Sequence, residues 1–175
     1  MLAAICLCGT LVAASAPAVW IDVPFVRQTR EGCGAASLAM IMRYWYDQPG
    51  AAAGKAAEAT EILQQLHSPQ SHGIYASAMK EYLQAHGYQV FVFKGKWEDF
   101  HNQLAKGRPL IVALAPSRNE KVLHYVVVAG VDGDFVLFND PADRKLARLD
   151  RGAFEKEWSA SDNWTLLALP QPAAS

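Results

Sequence analysis

Apolar residues recur along this chain at two spacings, and each spacing marks a different kind of element. Leu38, Ile41, Met42 and Trp45 fall at i, i+3, i+4 and i+7, which puts them on one face of a helix. Ala35, Ala36 and Ala39 leave room for a close neighbour, so the pattern predicts a central helix beginning at Cys33. Before it, Ile21 to Gln28 carries Pro24 among β-branched and aromatic residues and reads as extended, and TREG makes the turn into the helix. The stretch from Tyr46 to Ser71 holds a loop, a helix in AAEATEILQQL and the polar HSPQSHG, and is expected to cover one rim of the molecule. IYASAMKEYLQAH is a second amphipathic helix, and Gly87 suits its left-handed cap.

Beyond Gly87 the spacing changes. YQVFVFKG, LIVALA, LHYVVVAGV, DFVLFND, RKLARL and WTLLALP read as strands, with short helices in WEDFHNQLAKG and GAFEKEW between them. Helices first and antiparallel-looking strands later predict an α+β fold, a helical lobe packed on an antiparallel sheet. One domain over residues 19–170 accounts for the pattern, with no internal repeat and a frayed tail at 171–175.

Composition narrows the class. Hydrophobic residues at 51% supply a core, and a net charge of −1 offers no basic field for phosphates, so nucleic acid is not an expected partner. Residues 1–18, MLAAICLCGTLVAASAPA, carry no charge; their apolar run is too short to span a bilayer, and Ala16 and Ala18 form an A-x-A site. The expectation is a signal peptide cleaved near Ala18 and an exported mature chain without a membrane span. An uncleaved N-terminal anchor is the alternative. Cleavage would remove Cys6 and Cys8 and leave Cys33 as the one thiol, either a buried, inert side chain or a reactive nucleophile.

The surroundings of Cys33 bear on that choice. At the start of a helix, unpaired N–H groups and the positive end of the dipole favour a thiolate, and Gly32 and Gly34 leave space for a substrate carbonyl. A nucleophilic thiol also needs a base. His67 and His72 lie in a polar loop, without a third ligand to make a metal site; His86 precedes a capping glycine, and His101 lies on a short surface helix. His124 differs from these because it opens a strand apolar enough to be buried. Past the turn in VDGD, FVLFND delivers Asp140 beside it, where a carboxylate would fix the imidazole tautomer. For the two to share a face, a loop with an odd number of residues is expected; a two-residue loop turns them apart unless Asp140 lies beyond the ladder.

Gln28 shortly before Cys33, the run CGAASLAMIMRYW, the segments GIYASAMKEYLQAHGYQVFVFKG and LAKGRPLIVAL, then HYVVVAGV and NDPA, together resemble the C39 family of papain-like cysteine peptidases. The resemblance spans roughly Val23 to Leu169. It implies a papain-like fold with a central nucleophile helix, Cys33 as nucleophile, His124 as base and acid, Asp140 as orienter and Gln28 as an oxyanion donor. It implies a peptide or protein substrate and neither cofactor nor metal. Gly32 stands where transporter-linked members tend to have aspartate, which places the chain nearer the stand-alone members. Two other outcomes share these residues: a thiol-dependent acyl or amide transferase, and a non-catalytic peptide-binding module. The sequence specifies neither the cleavage site nor the oligomeric state.

Overall fold

The computed structural model describes residues 17–49, 57–116 and 122–171. Most of the expected signal segment, residues 1–16, and the tail residues 172–175 lie outside the described residues. Among the described residues, seven strands form one antiparallel sheet: β1 (Val19–Trp20), β2 (Tyr88–Lys94), β3 (Leu110–Leu114), β4 (His124–Asp132), β5 (Phe135–Asn139), β6 (Ala147–Asp150) and β7 (Trp164–Pro170). The order across it is β2-β7-β3-β4-β5-β6, and β1 pairs with the far end of β4. The helices are α1 (Cys33–Tyr46), α2 (Ala59–Leu66), α3 (Ala76–Ala85), α4 (Trp97–Leu104) and α5 (Arg151–Ala160). Ile21 to Gln28, expected to be extended, is not itself a strand.

Both faces of the sheet are covered, which explains why β4 is apolar along its length instead of alternating with polar residues. Tyr125, Val127 and Ala129 point into a core with α1, α2 and α3, while Val126, Val128 and Val131 join a second core with Phe100, Leu104, Phe154 and Trp158 of α4 and α5. The first core seats the central helix. Gly34 through Met42 of α1 are all buried, a wider burial than the predicted stripe, and Trp45 is half-buried with its indole N–H donating to the Ala168 carbonyl at 2.9 Å. Each fully buried Leu, Ile or Met side chain in such a core stabilises by about 1.5–3 kcal/mol. The start of α1 is therefore fixed against the sheet, and Ser37 adds a buried hydroxyl bond to the Tyr125 carbonyl at 3.2 Å.

The β4–β5 hairpin departs from the expected turn. Its loop has two residues, Gly133 and Asp134, with Asp132 opposite Phe135, and the left-handed backbone falls on Gly133 alone (φ 56°), as in a type II′ turn. That loop by itself would set His124 and Asp140 on opposite faces. The parity is restored inside the strand: the register shifts between Val128 and Gly130, so that Val128 faces Phe138 and Val127 faces Asn139. Ala129 is the extra residue, and its carbonyl accepts the Ile21 N–H at 2.8 Å. Gly130 is needed beside it, because a Cβ there would stand 2.8 Å from the Trp20 Cβ and 3.0 Å from Leu137. The bulge is thus stabilised by β1, which pairs Trp20 with Gly130 and Val19 with Val131. Asp140 itself is the first residue past β5.

Candidate active site

Three of the four residues singled out in the sequence meet at one end of the sheet. Cys33 is the first residue of α1, whose N-cap Gly32 offers no side chain to the helix end. Ala36 makes the first intrahelical bond, to Gly32 at 2.9 Å, so the N–H groups of Cys33, Gly34 and Ala35 have no partner within the helix. Their combined field favours negative charge on the sulfur. The thiol lies 3.8 Å from the Leu123 carbonyl, next to His124 in the chain, and is one of the groups that raise the His124 pKa.

His124 opens β4 opposite Leu114, and its Nε2 lies 2.8 Å from Oδ1 of Asp140. Nδ1 is then the ring nitrogen that Asp140 leaves free. Burial alone would lower the pKa of this imidazole, but the Asp140 bond, the Cys33 bond and the charges of both outweigh it and push it up to about 9. Burial likewise acts to raise the Asp140 carboxyl. The bond and charge of His124, with the N–H groups of Ala142 and Asp143, hold it below its usual value instead. The constellation therefore favours an imidazolium between a carboxylate and a sulfur.

Gln28 is placed differently. Its backbone N–H donates to the Pro141 carbonyl at 2.9 Å, which ties the segment before Cys33 to the residue after Asp140. Its side-chain Oε1 is buried without a partner. Among the described residues no hydrogen bond joins Gln28 to Cys33 or His124, so the structure brings it to the hairpin side of the site and leaves its amide unengaged there.

A cleft of about 230 Å³ opens on Cys33, walled on one side by Leu123 and Tyr125 and on the other by residues 70–76, which precede and begin α3. Sequence reasoning put the end of the HSPQSHG segment at a rim but did not see that it forms the wall facing the thiol. A second feature was also missed: the Glu31 carboxylate faces two histidines of the segment leading into that wall, accepting from His67 Nε2 at 2.8 Å and lying 3.6 Å from His72 Nδ1. No sequence signal marks contacts between residues 36 and 41 positions apart. Among the described residues, no group of three or more His, Cys, Asp or Glu side chains could hold a metal ion.

A sequence profile of the Peptidase_C39 like family matches residues 20–165, from β1 into β7. The chain belongs to this family, and with it to the cysteine peptidases. The C39-like chain is 29% identical over 152 residues to the Lactococcin-G-processing and transport ATP-binding protein LagD of Lactococcus lactis subsp. lactis, a match covering 85% of this chain and 18% of that protein. It thus spans less than a fifth of that relative. The fold agrees with a structure solved as a C39-like peptidase from Bacillus anthracis, at a TM-score of 0.71 and 17% identity over 89% of this chain and 99% of the other. A double glycine motif protease from an AMS/PCAT transporter, solved in complex with the leader peptide, superposes with a TM-score of 0.67 at 19% identity, covering 87% of this chain and 95% of that one. The helical lobe on an antiparallel sheet is therefore the papain-like arrangement of the C39 peptidases. Among the described residues, no helix is long and apolar enough to cross a membrane.

Proposed function

We propose that the C39-like chain hydrolyses a peptide bond through Cys33, His124 and Asp140. The observation that carries this reading is the shared imidazole: His124 Nε2 lies 2.8 Å from Asp140, and the Cys33 thiol at a helix start is the other group that raises its pKa. A structural cysteine needs neither partner. The substrate is a peptide, a class supported by the leader-peptide complex of the double glycine motif protease.

The proposed reaction assigns each residue a step. The Cys33 thiolate attacks the scissile carbonyl carbon, a C–S bond forms, and the carbonyl π electrons move to oxygen. The Cys33 N–H and the Gln28 amide donate to that oxyanion. As the tetrahedral species collapses, the C–N bond breaks and the leaving nitrogen takes the proton held by His124. A water then attacks the thioester carbonyl while neutral His124 accepts its proton, and the Cys33 thiolate leaves with the C–S electron pair. Asp140 keeps the ring in the tautomer and orientation that both steps require.

The same reading places the mature chain outside the cytoplasm, beginning near Val19, on the support of the uncharged apolar leader and its A-x-A site. Intact-mass measurement on protein from the envelope or medium tests this, and a full-length mass in the cytoplasm overturns it. For the chemistry, a mixed peptide library incubated with wild type, Cys33→Ala and His124→Ala and read by mass spectrometry is the direct test. New cleavage products from wild type alone are expected. Added amine nucleophile distinguishes transfer, which would appear as amide adducts in place of free carboxyl termini. Cleavage that survives Cys33→Ala overturns the reading.

A further inference from the structure

The wall of the cleft is held to the nucleophile by one side chain with no part in the triad. Glu31 lies two residues before Cys33 and adopts a left-handed backbone (φ 58°), a conformation that costs a non-glycine residue energy and persists where surroundings impose it. His72 across the cleft rim is also left-handed, at φ 48°. The Glu31 carboxylate takes up the His67 Nε2 at 2.8 Å, while His72 Nδ1, at 3.6 Å, is outside hydrogen-bond range and adds attraction only when protonated. The backbones approach as closely: a Cβ on Gly73 would stand 3.3 Å from the Glu31 carbonyl oxygen.

The segment so gripped is otherwise braced mainly on itself. Ser68 N–H donates to the Gly73 carbonyl at 2.8 Å, and Ser71 N–H and hydroxyl both donate to the Ser68 carbonyl, at 3.1 and 3.2 Å. Its core anchors lie at either end, Ile62 of α2 and Ile74, both buried. Between them the tip from His67 to His72 is half-exposed or exposed, and its last residues, Gln70 to His72, line the cleft opposite Tyr125. Such a self-contained loop moves as a unit unless something outside it holds it.

The geometry points to Glu31 as the positioning residue that sets the width of the cleft, clamping the 67–73 segment, whose end begins the cleft wall, at a fixed distance from Cys33 and so determining which side chains beside the scissile bond are admitted. This rests on the reading of Cys33 as the nucleophile. Releasing the clamp leaves the thiol and its imidazole intact and widens only the approach to them. In a cleft of about 230 Å³, a shift of the wall by an ångström changes the admissible bulk of a flanking residue.

Alkylation of Cys33 separates these effects without a known substrate. In the full chain, labelling by iodoacetamide and by a bulky fluorophore maleimide is followed at Cys33 by peptide mass spectrometry, so that Cys6 and Cys8 do not enter the reading. Glu31→Ala and His67→Ala are expected to raise the bulky-reagent rate about fivefold to tenfold while the iodoacetamide rate stays within about twofold. His67→Ala breaks the same bond from outside the left-handed position and so keeps the test valid where Glu31→Ala does not fold. Glu31→Gln, which still presents an oxygen to His67, should restore most of the wild-type ratio. Two rates that change in parallel, or a ratio unmoved in both variants, overturn the clamp. Failure of the underlying reading shows separately, as peptide cleavage surviving Cys33→Ala.

Discussion

Two histidine–carboxylate pairs adjoin the residues that line the cleft, one beside each wall, and they are nearly alike by the usual measures. His124 and Asp140 meet at 2.8 Å with the histidine side chain 34% exposed; His67 and Glu31 meet at 2.8 Å with 33% exposed. Neither the length of the contact nor its exposure separates them. What differs is the far side of the ring and the support beneath it. His124 has the Cys33 thiol as a second charge partner, and the residue is registered in a five-pair ladder with β3; His67 is the C-cap of a two-turn helix on an otherwise self-braced loop. A carboxylate raises the basicity of any imidazole beside it, but only a rigidly mounted ring with a second partner relays a proton. On the proposed reading, the same pairing is chemistry on one side and a fastening on the other.

Removing each histidine breaks the comparison most severely. His124→Ala is expected to lose at least about 10³-fold in kcat/KM and to slow iodoacetamide labelling of Cys33, as a missing general base does. His67→Ala should keep turnover of a small peptide within about fivefold. Equal losses in a peptide-cleavage assay would mean that the pairs do not divide the work in this way.

The carboxylates come next. Asp140→Ala should cost about 10²-fold, because the ring loses its orienting bond, and Asp140→Asn less, since an amide oxygen still accepts from Nε2–H. Glu31→Gln should change small-peptide turnover by no more than about twofold. Steady-state kinetics on the three variants would show whether charge or acceptor geometry dominates on each side.

The pH dependence sharpens the contrast further. With the His124 pKa raised to about 9, the charged pair persists through neutrality, and kcat/KM should fall on an alkaline limb near pH 9. Asp140→Asn removes a charge that holds the proton and should move that limb to lower pH, whereas Glu31→Gln should leave it in place. The same shift links to folding. A raised histidine pKa stabilises the native state fully below its unfolded value of about 6.5, and the contribution is lost as pH rises through about 9. With a third of the side chain exposed to screening water, the loss is about 1–2 kcal/mol, measurable by denaturant unfolding at pH 6 and pH 9.5. Stability unchanged between those pH values, once other titrating groups are controlled by the His124→Ala variant, would count against the raised pKa.

The smallest expected effect tests the mounting. Gly130→Ala pushes a Cβ to 2.8 Å from Trp20 and should destabilise by about 1–3 kcal/mol through strain at the bulge. If the bulge sets the hairpin parity, turnover should drop by more than the stability change explains, while the ratio of bulky to small labelling at Cys33 is unaffected. Melting temperature and kcat/KM measured together would check it.

Cys33, His124 and Asp140 were legible in the sequence because each closes or opens an element with a strong periodic signature: a helix start between glycines, the head of an apolar strand, and the end of its returning partner. The α+β class followed from the same periodicity, since which residues can be buried together is decided largely by local spacing. How the hairpin parity was satisfied was not legible. The turn has two residues, and the missing step comes from a bulge at Ala129 that depends on β1, more than a hundred positions away in the chain. Nor was the Glu31 clamp, whose partners are left-handed or exposed loop residues without a period to read. Local pattern encodes burial, because burial follows from the repeat of the element; contacts between a turn and a distant loop depend on where packed elements bring their ends, and only the assembled tertiary structure fixes that.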